Sequence, residues 1–191
     1  MIQPVRYRVQ SVTNDIEPVV PIEALRDNLR IQSSELDSAL LMFLNNAIDF
    51  AEVYTGRVFQ SKTMEAYTDG FPPSGLLVLD KGPVNEIRSI GYYAEGDDVM
   101  RTLPADSYQL DNIEMTARLL FKGGVSADPY RLNAVKITYT AGYTVQTLPK
   151  GVRDAVILIA SQRFLHADNE TVDRNITVAQ NYLEQYKPHN F

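Results

Sequence analysis

The sequence predicts an α+β protein in which two long helices and several shorter ones form a helical core, interrupted by a mostly antiparallel β module. Apolar residues recur at helical spacing within residues 34–55 and 150–167. Residues 62–143 instead contain short β-branched and aromatic segments separated by Gly, Pro, Asp and Asn. At 191 residues the chain has room for one well-cored domain, with residues 21–57 and 148–187 as the helical core.

The first part of the chain is expected to lead into this core from an extended arm. In residues 1–20, prolines interrupt a Val-rich stretch that has no helical period. The segment "PIEALRDNLRI" predicts a short helix opened by Pro21 at the first-turn position. Ser33 or Ser34 can cap the next, longer helix, and Gly56 is expected to end it.

The first long helix has a wider apolar surface than one packing partner requires. Its central stripe consists of Leu36, Leu40, Phe43, Leu44, Ala47, Ile48 and Ala51. At about 100° per residue, five more residues widen the apolar surface to roughly 200° of the circumference: Ala39, Met42, Phe50, Val53 and Tyr54. One explanation is that the helix is sandwiched inside its own subunit. The other is burial against a second copy of the chain, for which the candidate interface residues are Met42, Phe50, Val53 and Tyr54.

The β module contains five strand candidates and one clear hairpin turn. The candidates are "LLVL", "EIRSIGYYA", "SYQLD", "RLLF" and "VKITYT". The turn is "EGDD" at Glu95 to Asp98. Such dense turn signals favour antiparallel pairing, because parallel crossovers would need helices that this stretch does not offer.

The second long helix follows Pro149 and carries apolar residues in nearly every direction, which is typical of a helix at the centre of a core. Arg163 projects from the same side as Val156 and Ile159. Its charge is therefore expected either to extend to solvent or to meet a carboxylate. A polar loop then leads to a last helix, which Pro188 is expected to end.

The sequence offers no motif for catalysis, a cofactor or a metal. It contains no cysteine, and its two histidines, His166 and His189, lack metal-ligand spacing. No nucleophile elbow, P-loop or dinucleotide fingerprint occurs. The acidic cluster at residues 95–98 lacks the ligand ladder of a calcium loop and is typical of a solvated hairpin tip. We therefore expect no enzyme; a hydrolase that uses Asp and Glu alone is the remaining catalytic alternative.

Charge and hydropathy limit the partners. The formal net charge of −6 argues against nucleic-acid binding, which needs clustered Lys and Arg to neutralise phosphates. A nucleic-acid-binding module remains an alternative whose mark would be a basic face. No apolar run reaches transmembrane length, and the first residues lack a signal-peptide layout. We accordingly expect a soluble, non-secreted protein without a membrane partner.

The order of segments is itself informative. The chain runs from "PIEALRDNLRI" and "LDSALLMFLNNAIDFAEVYTGRVF" through "LLVLDKGPVNEIRSIGYYAEGD" and "LPADSYQLD" to "VKITYTAGY" and "LPKGVRDAVILIASQRF". This series covers about residues 20–167. It resembles the head-tail connector (head completion or adaptor) proteins of long-tailed bacteriophages, specifically the family whose helical core is interrupted by a β insert.

The resemblance implies a structural virion protein at the head-tail junction, made in the cytoplasm of a bacterial host. About twelve subunits would form a ring beneath the portal protein, extend the DNA channel and help retain packaged DNA; a ring built from one repeated contact needs two complementary faces per subunit. A neck or tail-completion protein would dock on the ring, and DNA would pass without specific binding. Another phage neck or tail-completion adaptor is the near alternative.

Overall fold

The computed structural model describes residues 6–11, 18–165 and 174–187. Three residues named above lie outside the described residues: His166, Pro188 and His189. The described part of the chain divides into two compact units. A β unit contains residues 6–11 and 61–142, and a helical unit contains the rest. Four helices and antiparallel sheets confirm the predicted α+β class with a β module.

The helical unit contains the two predicted long helices and two shorter ones. They are α1 (Ile22–Leu29), α2 (Asp37–Thr55), α3 (Lys150–Leu165) and α4 (Arg174–Glu184). The long helices α2 and α3 pack together as predicted, and the ring of Phe43 meets that of Phe164 edge-on, with centroids 5.9 Å apart. All four helices contribute buried side chains to one apolar core: Leu25, Leu40, Leu44, Ala47, Ile48, Ala51, Val152, Ala155, Val156, Ile159, Ala160, Ala179 and Leu183.

The start of α2 corrects one prediction. Leu36 is the N-cap residue, and no side chain caps the helix, so the expected cap by Ser33 or Ser34 was wrong. The Ser33 hydroxyl instead accepts a hydrogen bond from the Glu35 N–H at 3.1 Å. The serine hydroxyl therefore accepts a backbone N–H in the turn that precedes the helix, instead of an N–H in the first turn of the helix itself.

The end of α2 is as predicted. Gly56 has φ of 70°, in the left-handed region, and its N–H donates to the Glu52 carbonyl at 2.8 Å. Glycine adopts this conformation without the steric penalty of a Cβ, which makes it the usual residue after the last helical turn.

The α3 helix packs against α1, α2 and α4, as expected of a helix at the centre of the core, although its burial is complete on one face only. Val152, Val156 and Ile159 are fully buried, whereas Leu165 is exposed and Leu158 is half-buried. Arg163 neither extends freely to solvent nor meets a carboxylate. Because α2 lies alongside α3, the guanidinium donates to the carbonyl of Asn46 in α2 at 3.0 Å.

The β unit contains two antiparallel sheets. The strands are β1 (Arg6–Ser11), β2 (Lys62–Thr68), β3 (Leu76–Leu79), β4 (Val84–Tyr92), β5 (Arg101–Thr102), β6 (Tyr108–Asp111), β7 (Ala117–Phe121) and β8 (Val135–Ala141). Five strands form a sheet in the order β1-β2-β8-β4-β5, and three form a sheet in the order β3-β7-β6. All these strand pairs are antiparallel, as predicted.

All five strand candidates are strands, and the turn at Glu95 to Asp98 lies in the loop between the paired strands β4 and β5. Three further strands were not predicted: β1, β2 and β5. The β1 strand comes from the expected arm and pairs with β2, with Tyr7 opposite Ala66. Arm residues 6–11 therefore form a sheet edge in the described structure.

A buried carboxylate lies within β2. Glu65 is 1% exposed, and its Oε1 is 3.0 Å from the Nζ of Lys136 in the neighbouring strand β8. The hydroxyl of Tyr67 also donates to this carboxylate. A buried charge is tolerated only when it is paired and hydrogen-bonded, because burial removes its hydration. These contacts therefore offset the cost of burying the Glu65 carboxylate within the strand.

Candidate assembly interface

Met42 and Val53 are the exposed members of the predicted interface set on α2. Their exposed fractions are 53% and 84%, whereas Leu40 and Leu44 on the same helix are fully buried. Met42 and Val53 are eleven residues apart, which places them on the same side of an α-helix about three turns apart. Met42 and Val53 are therefore apolar side chains that the chain itself leaves uncovered, on a side of α2 that also carries exposed polar residues.

Phe50 and Tyr54 are half-buried and stack on each other. Their ring centroids are 6.0 Å apart and the ring planes are inclined by 10°. The guanidinium of Arg163 lies 5.3 Å from the Phe50 centroid, and the Nζ of Lys187 lies 3.9 Å from the Tyr54 centroid. The two rings thus carry a cation at each end, an arrangement that is favourable because the ring faces are electron-rich.

The Tyr54 hydroxyl joins a polar cluster at the end of α4. It donates to Glu184 Oε2 at 2.7 Å, and Lys187 Nζ lies 2.9 Å from the same oxygen. The hydrogen bond from Lys187, followed by the one from Tyr54, lowers the pKa of Glu184, while the bond to Glu184 raises the pKa of Lys187. Both groups are therefore charged at neutral pH. The cluster weakens as the pH falls through the lowered pKa of Glu184, and it also weakens as the pH rises through the raised pKa of Lys187.

The four predicted residues do not form one continuous apolar patch. Phe50 and Tyr54 lie roughly 60 to 120° around the helix from Met42 and Val53. Their rings already contact Arg163 and Lys187 of the same chain. The structure thus leaves Met42 and Val53 as the more accessible apolar contacts, and the role of all four in an interface stays a prediction.

Sequence reasoning missed a second group of exposed apolar residues, which lies in the loops of the β unit. These residues are Val99, Ile113, Tyr130 and Leu132, with exposed fractions between 71% and 93%. The available signal was an apolar residue with polar neighbours on both sides in a turn, as in "DNIE" at residues 111–114. The β unit also contains an open cavity of about 530 Å³.

Two acidic side chains of the hairpin tip at residues 95–98 pair with arginines of the same chain. Asp97 accepts a hydrogen bond from the Val99 N–H at 3.1 Å and pairs with Arg101 at 2.8 Å, and these two contacts lower the pKa of Asp97. Asp98 lies 3.5 Å from Arg131. Over the described residues, no group of three or more His, Cys, Asp or Glu side chains is placed to hold a metal ion.

Two arginines of the β unit that could serve a basic, phosphate-binding face are likewise engaged with groups of the same chain. Arg118 pairs with Asp111, with Nε 3.0 Å from Oδ2, and Arg131 lies 3.5 Å above the ring of Tyr93 in addition to its pairing with Asp98. Among the helices in the described ranges, none has both the length and the hydrophobicity needed to cross a membrane.

The fold is found in solved structures of phage-like particles, although no protein-family model and no curated protein matches the chain. A chain from the neck of an empty gene transfer agent (GTA) particle, computed with C6 symmetry, is 19% identical, with a TM-score of 0.79 and 97% of each chain covered. A chain from the virion of the native GTA particle is 20% identical, with a TM-score of 0.76, and covers 97% of this chain and 96% of that one.

A third match comes from the neck of a native GTA particle computed with C12 symmetry. It is 21% identical, with a TM-score of 0.66, and covers 96% of this chain and 97% of that chain. The likeness therefore extends over nearly the whole length of both chains. The protein shares its fold with chains of GTA necks and virions.

Proposed function

We propose that this protein is a structural component of the neck of a phage-like virion, in which copies form a ring between the portal and the tail. The observation that carries the proposal is the fold likeness to neck chains over 96% or more of this chain. Those necks were computed with C6 and C12 symmetry. A ring of about twelve copies is compatible with both, since a twelvefold ring also contains the sixfold axis.

The proposed role is positional. The ring extends the portal channel, helps retain the packaged DNA and offers a docking surface to a neck or tail-completion protein. Such work needs no catalytic step, cofactor or metal. It does need two complementary faces on every subunit, and the exposed apolar residues Met42 and Val53 are suited to one of these faces because contact with a neighbour would remove them from water.

Assembly of the protein with its portal tests this role directly. Electron microscopy of the purified mixture should reveal a ring attached to the portal. A protein that binds only to the far end of an existing neck, and never to the portal, would instead be a different neck or tail-completion adaptor.

Glutamate substitutions at Met42 and Val53 are expected to impair ring formation but not folding. A charge at an apolar contact must lose its hydration when the contact forms, whereas the same charge stays in water in the free subunit. Each variant should change the free energy of unfolding by less than about 0.5 kcal/mol. Electron microscopy with the portal measures assembly, and urea denaturation measures folding.

The matched control is Asn181→Glu, which adds the same charge at an exposed polar position on α4. It should assemble normally. Normal rings from both Met42→Glu and Val53→Glu would remove these residues from the interface.

The isolated protein is expected to bind duplex DNA more weakly than the roughly 10⁻⁴ to 10⁻⁶ M typical of nonspecific binders at physiological salt. The net charge is −6, and Arg118 and Arg131 already pair with Asp111 and Asp98. Fluorescence anisotropy titrations at two salt concentrations provide the measurement. Micromolar binding with a steep salt dependence, lost on neutralising Arg118, Lys122 and Arg131, would contradict a passive channel.

A further inference from the structure

We infer that the three-stranded sheet carries both halves of a contact between neighbouring copies. The loop between β6 and β7, residues 112–116, here called the Ile113 loop, inserts into the cavity at the opposite end of the same sheet in the next copy. The cavity is called the Phe71 cavity and is lined by Phe71, Pro72, Leu103, Phe121, Val125 and Pro129 among others. This inference rests on the proposed ring and identifies one of its subunit contacts.

The two features lie at opposite ends of the sheet. The Ile113 loop immediately precedes β7, while Phe121 at the end of β7 lines the cavity. Gly75 and Ser107, which precede β3 and β6, also line it. The Phe121 N–H donates to the Gly75 carbonyl at 2.7 Å, which holds these chain segments together. Five strand residues separate the two ends by about 17 Å.

The Ile113 loop presents an apolar side chain on a fixed backbone. Ile113 is 93% exposed. The side-chain amide of Asn112 donates to the carbonyls of Val84 and Asn85 at 3.0 and 3.2 Å. Gly82 packs so closely that a Cβ there would lie 2.1 Å from the Met115 carbonyl oxygen. A loop that is already ordered loses little conformational entropy when it binds, which favours its use as a contact.

The Phe71 cavity offers such a side chain aromatic and aliphatic walls within a lining that also contains polar residues. Its volume is about 530 Å³ and it is open on one side. The Phe71 ring meets the Phe121 ring edge-on at 4.9 Å and the Tyr92 ring at 5.7 Å. Insertion of the exposed isoleucine against these walls would remove its apolar surface from water, which favours the contact.

The charges beside the two features are complementary. Glu114 is exposed next to Ile113, and Lys122 is exposed next to Phe121 at the cavity. Insertion of the loop brings the acid of one copy to the cation of the next. Asp69 also lines the cavity, but its carboxylate already pairs with Arg6 and accepts the Asn133 N–H at 2.8 Å.

The geometry favours a second copy of the chain as the occupant. The Ile113 loop and the Phe71 cavity are different surfaces of one subunit, so the same contact can repeat head to tail from copy to copy. The copies form a closed ring when a whole number of the rotations between neighbours makes a full turn. The necks whose chains share this fold were computed with C6 and C12 rotational symmetry. Their symmetry is of the type that a closed head-to-tail contact generates.

Cysteine cross-linking tests the contact, and this chain adds no cysteine of its own because it has none. The test variant combines Ile113→Cys with Ser126→Cys, since Ser126 is an exposed residue of the cavity lining. A disulfide needs Cα atoms within about 7 Å, so the two cysteines cannot join within one copy. Oxidation of rings assembled with the portal should give a ladder of covalent oligomers beyond the dimer on a nonreducing gel.

The matched control replaces the cavity cysteine with Gln109→Cys, an exposed position on the outer face of β6, and should give no ladder. The single variants should stop at the dimer. Charge reversal gives a second measurement. Glu114→Lys and Lys122→Glu should each lower the ring yield by up to about tenfold, and the variant with both changes should restore the ring yield.

Intact rings of the double-cysteine variant without a ladder would overturn the inference and leave the proposed ring standing. Cross-linking of Ile113→Cys to the portal or to a neck protein would also overturn it, because the loop would then serve another partner. If the unaltered protein forms no ring with its portal, the proposed function itself fails, so the two failures are distinguishable.

Discussion

Replacement of Lys136 by Met is expected to lower the free energy of unfolding by about 3 kcal/mol, because the buried Glu65 carboxylate loses its ammonium partner. The two side chains are 3.0 Å apart, and the carboxylate side chain is 2% exposed. The Lys136 side chain is 29% exposed, so water reaches one side of the pair. We therefore place the effect at the lower end of the range of about 3 to 5 kcal/mol for broken buried pairs.

Urea denaturation followed by tyrosine fluorescence measures this change, since the chain has eleven tyrosines and no tryptophan. Lys122→Met is the control, because Lys122 is an exposed lysine and its loss should change stability by less than about 0.5 kcal/mol. A double variant, Glu65→Leu with Lys136→Met, should recover part of the loss by removing the buried charge itself. A loss below about 1 kcal/mol for Lys136→Met would mean that water solvates Glu65 in the folded sheet.

The same buried pair explains why β2 was not predicted from the sequence. Four consecutive residues of this strand are buried, Thr63 to Ala66, and one of them is the glutamate. A strand covered on both faces does not alternate between apolar and polar residues, and a charged residue within it removes the remaining apolar signal. The strand β3 could be predicted because it is short, wholly apolar and bounded by turn residues.

The α2 surface was partly predictable for a geometric reason. Residue positions around a helix follow from a constant angle per residue, so the sequence alone places Met42 and Val53 on one side. Their exposure agrees with an apolar surface wider than the core requires. The sequence could not reveal the aromatic stack flanked by Arg163 and Lys187, because those cations come from residues more than a hundred positions away.

The Phe71 cavity could not be predicted at all. Its lining comes from turns that are far apart in the sequence, with Phe71, Leu103, Phe121 and Pro129 as examples. Each turn alone has ordinary loop composition. The pairing of β3 and β6 with the central strand β7 places Phe121 at one end of that sheet, and the loops that carry Phe71, Leu103 and Pro129 fold around the same cavity.

Alanine at Leu44 is expected to lower the free energy of unfolding by about 3 kcal/mol, whereas alanine at Met42 should lower it by less than about 0.5 kcal/mol. Leu44 is fully buried in the core shared by α2 and α3, so truncation removes buried methyl groups and leaves a void. Met42 lies two residues earlier on the same helix but is 53% exposed. Urea denaturation of both variants measures the difference.

The two alanine variants also separate folding from assembly, because the side chains are similar in size and differ in what covers them. Met42→Ala should reduce ring yield with the portal while its unfolding midpoint stays close to that of the unaltered protein. Leu44→Ala should lower the midpoint, yet the fraction that remains folded should still form rings, since its outer surface is unchanged. A loss of more than about 1 kcal/mol for Met42→Ala would place Met42 in the core of its own subunit. In that case the wide apolar surface of α2 would serve folding, and the contacts of the ring would have to be sought on the β unit.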